Sequence, residues 1–227
     1  MKSAVMLFAD HPLPVLQGLE AGQEPDPLAL ALLRDTLRTL ADVAADVFVF
    51  LAPSMDKEQA KALLDPHGVG GFKLASSLGK SLQARRRNAF RLLFSRGYEK
   101  ALLLANALPD LPSHAVQTAL DSLGWKRCCL GPIPGPDGEP DGVYAMGFDF
   151  EGYTTDALDM VDPDKPKLFG RMETLLLFYE RTVTVLAPHS PVDGPEAVPA
   201  LVARCRDTRF TLLPSLRLAS RQSQTGA

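Results

Sequence analysis

Two kinds of apolar spacing alternate along the chain from its first residues. Short runs rich in β-branched and aromatic residues are typical of buried strands, whereas apolar residues three and four positions apart are typical of helices that bury one face. The clearest helix spans 28–40, where leucines recur at these steps. The pattern predicts strands at 4–9, 47–51, 72–75, 101–104, 127–130, 143–148 and 183–187, and helices at 28–40, 56–64, 81–96, 113–123, 172–181 and 196–206.

This alternation predicts an α/β fold, a three-layer sandwich in which a mostly parallel, Rossmann-like sheet lies between two layers of helices. Neither an internal repeat nor a linker interrupts residues 1–210, which we expect to form a single domain. Residues 211–227 are a C-terminal extension, and their polar end, from about Ser220, is predicted to be disordered. The segment 131–142 is so rich in proline and glycine that it predicts a loop.

The charge of the chain argues against binding to nucleic acid or to a membrane surface, because a formal net charge of -3 offers no excess of cations to phosphates. No apolar run reaches the roughly 18 residues that a membrane span needs. The start of the chain does not resemble a signal peptide, and the three cysteines are an odd number. These features predict a cytoplasmic protein with reduced thiols, in which Cys128 and Cys129 serve packing.

The segment 101–112 has the pattern of a buried strand that runs directly into a polar turn. A run of consecutive apolar residues suits a central strand covered on both faces. Asn106 and Asp110 follow this strand, and open α/β sheets bind their ligands at the carboxyl ends of strands. Pro109 and Pro112 restrict the path of the chain after the strand. This turn is therefore a candidate for part of a functional site.

A larger set of residues around this turn matches a known family. Between Leu82 and Pro132 the matching residues are Arg85, Asn88–Phe90, Gly97, Pro109–Pro112 and Leu130–Pro132. Weaker matches are Phe8, Ala9 and Pro12–Pro14 after the first strand, the strand at Asp141–Phe148, and Val192–Glu196 near the end. With these residues the chain resembles small bacterial nucleotide-diphospho-sugar transferase-like (glycosyltransferase-like) proteins of the GT-A type.

The resemblance implies a nucleotide sugar bound beyond the strand ends, usually with Mg²⁺ or Mn²⁺. The sugar nucleotide leaves as a diphosphate, whose negative charge must be neutralised by a metal ion or by cationic side chains. In the family, a lysine and an arginine follow the first strand, and an aspartate lies two residues before the proline that matches Pro109. Here Gly18 and Glu20 occupy the cationic positions, and Ala107 occupies the position of the metal-binding aspartate.

Three interpretations of the function remain open. The chain is a nucleotide-diphospho-sugar transferase-like protein that handles the diphosphate with other groups, or a catalytically inactive relative that serves as a nucleotide- or protein-binding module. The proline-rich segment and the uncharged loop after Pro14 also allow a purely structural or interaction subunit. Family-type catalysis is not expected, because both devices for neutralising the leaving group are replaced. Mg²⁺ or Mn²⁺ is expected only if the protein is active. A nucleotide sugar is the expected ligand, and a protein partner or a second copy of the chain is an alternative.

The candidate catalytic residue is Asp193, the carboxylate that best matches the family's motifs. Its structural alternative is a solvated acid at the start of the last helix. The candidates for nucleotide or sugar binding are Phe8, Ala9, Pro12, Arg85, Asn106, Asp110, Asp141 and Gly142.

The polar candidates have structural alternatives as well. Asn106 could satisfy backbone groups at the strand end, Asp110 could cap the next helix, and Asp141 could be an ordinary turn residue. Arg85 could bind an anion or lie on a solvated helix face. The arginines of the run 85–87 cannot all face one phosphate, because successive helical residues point about 100° apart. The histidines, at 11, 67, 114 and 189, lack the spacing of metal ligands.

Overall fold

The computed structural model describes residues 1–68, 70–162 and 165–225, without the side chains of residues 20, 156, 157 and 221–225. Its strands are β1 (Ser3–Phe8), β2 (Asp46–Leu51), β3 (Phe72–Ser76), β4 (Lys100–Leu104), β5 (Arg127–Pro134), β6 (Pro140–Asp149) and β7 (Thr182–Val185). Its helices are α1 (Pro27–Leu40), α2 (Lys57–Leu64), α3 (Leu82–Ser95), α4 (Ser113–Ser122), α5 (Asp156–Asp159), α6 (Leu168–Phe178), α7 (Val198–Cys205) and α8 (Pro214–Thr225). None of the helices in the described part of the chain has both the length and the apolar character to cross a membrane.

The strands form a seven-stranded sheet in the order β3-β2-β1-β4-β6-β5-β7. The neighbours β3 and β2, β2 and β1, β1 and β4, and β5 and β7 are parallel. Strand β6 runs antiparallel to both β4 and β5. The predicted mostly parallel sheet is confirmed, and each predicted strand and helix is present with ends that differ by a few residues.

Alternate residues of β1 face opposite sides of the sheet, as the two-residue period of a strand requires. Val5 and Leu7 belong to the core that α1, α2 and α4 cover. Met6 and Phe8 belong to the core that α3 and α6 cover on the other face. Because one strand contributes to both cores, the central sheet is buried on both sides, and the predicted three-layer arrangement is confirmed.

Polar side chains fix the starts of three helices. At α1 and α2, the carboxylates of Asp26 and Asp56 accept hydrogen bonds from the backbone N–H three residues later, at 2.7 Å and 2.8 Å. The hydroxyl of Ser81 does the same at α3, at 3.2 Å. Such caps satisfy N–H groups that the first turn of a helix leaves unpaired. Each of these three helices therefore begins directly after a residue whose side chain caps it.

The proline-rich segment 131–142 is mostly a β-hairpin, so the prediction of a loop was wrong for most of it. Strands β5 and β6 extend into it from both sides and leave only residues 135–139 between them. The prolines fit because irregularities interrupt the pairing of the two strands beside Pro132 and Pro134, and such positions tolerate a residue without an N–H. Strand β7 pairs with β5 only as far as Leu130; beyond it the N–H of His189 donates to the carbonyl of Pro132 at 3.1 Å, a bond in which the proline needs only an acceptor.

The C-terminal extension begins with a helix that packs on the rest of the protein. Leu216 and Ala219 of α8 share a buried cluster with Leu32 of α1. The backbone N–H of Ser215 also donates to the buried carboxylate of Asp35 at 2.9 Å. The predicted disorder of the end falls on residues whose side chains lie outside the described part, so it stays a prediction.

All three cysteines are free and buried. Burial raises the pKa of both the Cys128 and the Cys129 thiol to about 12, which keeps them protonated at neutral pH. They lie on β5, between β6 and β7, and face opposite sides of the sheet. The predicted packing role of this pair is confirmed.

Candidate functional site

A pocket of about 270 Å³ opens at the carboxyl ends of the parallel strands β1 and β4. Phe8 and Leu104 end these strands, and the antiparallel β6 brings residues 142–146 alongside them. Much of the wall is apolar, but four polar side chains reach it. They are His11, Arg86, Tyr144 and Asp193. The pocket therefore lies where open α/β sheets bind ligands.

The three consecutive arginines of α3 have three different environments. Arg85 forms an ion pair with Asp10 in the loop after β1. The Nη1 atom of Arg87 lies 2.6 Å from the Oδ2 atom of Asp159. Arg86 lines the pocket, and its Nε atom is buried without a hydrogen-bond partner. The divergence predicted from the helical period is confirmed, but the arginine at the pocket is Arg86.

Arg86 reaches the pocket because it lies on the buried side of α3. It precedes the buried residues Ala89 and Phe90 by three and four positions, and such residues share a helix face. Burial, together with the charge of Arg85, lowers the pKa of Arg86 to about 10, so it remains a cation at neutral pH. The spacing of the apolar residues of α3 indicates that Arg86 faces inward. This indication was missed because the family's arginine position matches Arg85.

His11 lines the same pocket from the loop after β1. Its backbone N–H donates to the carbonyl of Phe8 at 3.3 Å, so the loop turns back at the strand end. Burial, together with the charge of Arg86, lowers the pKa of His11 to about 4. Asp10 opposes this shift and Arg85 adds to it. The ring is therefore neutral at pH 7, and no spacing pattern in the sequence indicated it.

Some of the predicted site residues line this pocket, and they come from both ends of the sequence. They are Phe8, Pro12, Gly142 and Asp193. At Gly142 a Cβ atom would lie 3.1 Å from the Cδ1 atom of Ile133, so the hairpin leaves little room for a side chain. Asp193 is exposed, and it is the one carboxylate among the described residues of the lining. It lies before α7, which begins at Val198, so it is solvated as the structural alternative has it but lies outside that helix.

Two other candidates, Asn106 and Ala9, connect the elements around the pocket without lining it. Asn106 is fully buried; its Oδ1 atom accepts from the N–H of Leu13 at 3.2 Å, and its Nδ2 atom donates to the carbonyl of Leu13 at 2.6 Å. The N–H of Ala9 donates to the carbonyl of Phe50 at 3.0 Å. Asn106 thus ties the loop after β1 to the end of β4, which is the structural role considered for it.

Asp110 belongs to a buried polar cluster that joins distant segments. Its carboxylate accepts from the Nε atom of Arg204 at 2.9 Å and lies 3.2 Å from the Nε2 atom of His189. Although burial raises the pKa of Asp110, the hydrogen bonds from His189 and Arg204 lower it to about 2. The helix that follows, α4, begins at Ser113 with Pro112 as its N-cap residue and without a side-chain cap, so Asp110 does not cap this helix.

Replacing Asp110 by asparagine is expected to destabilise the protein by roughly 2 kcal/mol at neutral pH, because the ionised carboxylate is bound by two donors. Since the folded-state pKa is lowered, this stabilisation is present above about pH 4 and lost as the pH falls towards 2. The variant should therefore differ from the wild type in urea unfolding at pH 7 and much less at pH 2. Asp121→Asn, at an exposed position of α4, is the control and should match the wild type. If Asp110→Asn and the wild type are equally stable at pH 7, the ionised Asp110 carboxylate does not stabilise the protein.

Asp141 and Arg85 also make structural contacts. The carboxylate of Asp141 accepts from the backbone N–H of Lys167 at 2.5 Å and so joins the hairpin to the start of α6. Arg85 pairs with Asp10 and is only partly exposed, so the prediction of a solvated helix face was wrong. Both contacts connect elements that border the pocket.

The positions of the family's cationic and metal-binding residues have other roles in this structure. Gly18 has a φ of 82°, and a Cβ atom there would lie 2.5 Å from the Oε1 atom of Gln23, so a lysine would be strained. Ala107 is fully buried in an apolar cluster that includes Val192. The side chain of Glu20 lies outside the described part.

These residues do not fit a divalent cation, which binds carboxylate oxygens. Of the carboxylates near the pocket end of the sheet, Asp110 is bound by an arginine and a histidine, Asp10 by Arg85 and Asp141 by a backbone N–H, and Asp193 lies exposed. Within the described ranges, no three histidine, cysteine or acidic side chains are grouped so that they could hold a metal ion.

Solved structures share this fold at low sequence identity. A "putative nucleotide-diphospho-sugar transferase" from Desulfovibrio desulfuricans G20 is similar over 99% of this chain and 96% of its own, with a TM-score of 0.77 and 23% identity. A 4-diphosphocytidyl-2C-methyl-D-erythritol synthase from Anaerococcus prevotii DSM 20548 follows with a TM-score of 0.59 and 12% identity, over 90% and 96% of the two chains. A 2-C-methyl-D-erythritol 4-phosphate cytidylyltransferase from Thermus thermophilus has a TM-score of 0.53 and 18% identity, over 90% and 100%. At these identities the likeness concerns the fold.

The sequence itself matches one family model. No curated protein matches the chain. The model for "Uncharacterized protein conserved in bacteria (DUF2064)" matches residues 36–161, which is more than half of the chain. The matched part contains α3 with its three arginines and the strands β4, β5 and β6. The chain therefore belongs to the DUF2064 family of bacterial proteins, and it has the fold of nucleotide-diphospho-sugar transferases and cytidylyltransferases.

Proposed function

We propose that this protein binds a nucleotide or a nucleotide sugar in the pocket between β1, β4 and β6, and that Arg86 holds a phosphate there. Arg86 is the observation that supports the proposal most. Within the described part of the chain, this half-buried cation has no hydrogen bond or ion pair. A buried charge is costly unless a partner compensates it, and a phosphate offers two oxygens that match the planar guanidinium.

The rest of the pocket suits the other parts of such a ligand. Phe8, Leu104 and Met146 offer apolar surface to a base or to the carbon atoms of a sugar. Ligand pockets usually measure about 300–1,000 Å³, so a pocket of about 270 Å³ would enclose only part of a nucleotide sugar. The remainder would extend past the exposed Asp193. The shared fold and the position of the pocket support the same ligand class.

Binding is proposed to be independent of a divalent cation. Ala107 lies among apolar side chains where the family carries a metal-binding aspartate, and Asp110 is occupied by Arg204 and His189. One guanidinium can hold a phosphate but cannot by itself neutralise a departing diphosphate. The proposal therefore favours a nucleotide-binding relative over a metal-dependent transferase.

Isothermal titration calorimetry with UDP-glucose, GDP-mannose, dTDP-glucose and CDP-glucose tests the proposal. Each ligand is titrated in EDTA and again with Mn²⁺. We expect at least one of the four to bind with the same affinity in both conditions, because Arg86 supplies the charge. A flat titration with all four would overturn the proposed function. Binding that appears only with Mn²⁺, or turnover of the nucleotide sugar, would instead support the transferase interpretation.

A further inference from the structure

We infer that His11 is a second phosphate ligand that takes up a proton when the ligand binds, so that His11 and Arg86 together present two positive charges to a ligand with two negative charges. The inference rests on the proposed function and adds to it the charge of the ligand and the pH dependence of binding. A divalent metal ion would supply the same total charge. Two residues of this chain would thus replace the ion.

The geometry brings the two residues to one place from separate elements. His11 belongs to the loop after β1 and Arg86 to α3, and both line the pocket. The residues immediately before them, Asp10 and Arg85, form an ion pair with each other. This ion pair joins the loop to the helix directly beside the pocket. Because Asp10 pairs with Arg85, it does not pair with Arg86, which has no ion pair among the described residues.

His11 is neutral because burial and the nearby positive charge of Arg86 disfavour its protonated form. A bound anion would counteract the effect of Arg86. Burial and the charge of Arg86 hold the pKa of His11 at about 4. A phosphate placed against Arg86 cancels that charge and adds a negative charge beside the ring, and both effects favour the protonated imidazole. The pKa of His11 should therefore rise on binding to its ordinary value of about 6.5 or higher.

Other charged and titratable groups surround His11 on the elements packed against it. Arg86 of α3, with a pKa of about 10, stays protonated at neutral pH, and Arg85 forms an ion pair with Asp10 in the same loop as His11. On β6, burial raises the pKa of Tyr144 to about 12, so its hydroxyl stays neutral. Asp193, beyond β7, is an exposed carboxylate at the mouth. A proton taken up between pH 6 and 8 is thus assigned to His11.

Proton uptake by His11 also distinguishes between classes of ligand. The diphosphate of a nucleotide sugar is esterified at both ends, so it carries two fixed negative charges and has no group that titrates near neutral pH. A proton taken up on binding such a ligand must therefore go to the protein. A cyclic nucleotide carries a single negative charge and should bind more weakly than a nucleotide sugar with the same base.

The test uses calorimetry of the tightest of the four nucleotide sugars in pairs of buffers of low and high ionisation enthalpy, Mes and Bis-Tris at pH 6 and Hepes and Tris at pH 8, with EDTA present. The dependence of the heat on the buffer gives the number of protons taken up. With a bound pKa of about 6.5, uptake should be about three quarters of a proton per ligand at pH 6 and close to zero at pH 8. Affinity should fall about fourfold over the same range.

His11→Gln should still bind the ligand, but more weakly, without proton uptake and with affinity independent of pH. His114→Gln, at an exposed position of α4, is the matched control and should behave as the wild type does. Should His11→Gln fail to fold, the imidazole ¹H–¹⁵N signals of the wild type report the protonation of His11 directly. Binding without proton uptake, or the same uptake in His11→Gln, overturns the inference and leaves the proposed function intact. Absence of binding at every pH overturns both.

Discussion

Replacing Arg86 by methionine is expected to weaken nucleotide-sugar binding by about tenfold to a hundredfold while the protein stays folded. A hydrogen bond to a charged group contributes roughly 1.5–3 kcal/mol, which corresponds to this loss of affinity. Methionine has a similar length without the charge, and replacing an uncompensated buried charge by an apolar side chain is neutral or stabilising. Calorimetry and thermal unfolding measure the two effects on the same sample.

The same substitution at Arg91 is the control, because this arginine lies on the exposed side of the same helix. Arg91→Met should bind as the wild type does. If Arg86→Met lowers the melting temperature strongly and leaves the affinity unchanged, Arg86 is a structural residue of α3 and the proposed role in binding is wrong.

Replacing Ala107 by aspartate, the residue that the resemblance to nucleotide-diphospho-sugar transferase-like proteins implies there, is expected to destabilise the protein by about 3–5 kcal/mol. Ala107 is fully buried in the cluster formed with residues such as Leu28 and Leu201, and its carbonyl accepts from the N–H of Val192 at 3.0 Å. A carboxylate at this position would be a buried charge without a partner. The expected result is therefore a loss of stability, with no metal site formed.

Urea unfolding at several pH values separates the effect of charge from the effect of size. The introduced carboxyl has a raised pKa in the folded state, so its penalty is largest at neutral pH and shrinks as the pH falls below that pKa. Ala107→Asn, which has similar volume and no charge, should lose less stability and show no such pH dependence. If Mn²⁺ raises the melting temperature of Ala107→Asp, a latent metal site exists and the account of this position is wrong.

The fold could be predicted well from the sequence because its strongest signals are local. The leucine steps of α1 and the β-branched run of β2 depend on residues that are neighbours along the chain. The hairpin of β5 and β6 was missed for a physical reason. Its prolines are tolerated because the pairing with β6 is irregular and because Pro132 only accepts a hydrogen bond, from His189, and both depend on contacts that are distant in sequence.

The candidate site could be predicted only in part. Motif matches found Phe8, Pro12 and Gly142, which line the pocket. They also selected Asp110, but its role depends on Arg204, which lies 94 residues further along the chain. Arg86 could have been found from the phase of the buried stripe on α3, since a helix that buries Phe90 also turns the residue four positions earlier inward.

A crystal structure of the protein with its tightest nucleotide sugar, grown with EDTA in the solution, would show directly whether Arg86 holds the phosphate. We expect a phosphate oxygen within hydrogen-bond distance of the Arg86 guanidinium, between the ends of β1 and β4. A phosphate bound elsewhere, with Arg86 still uncompensated, would contradict it.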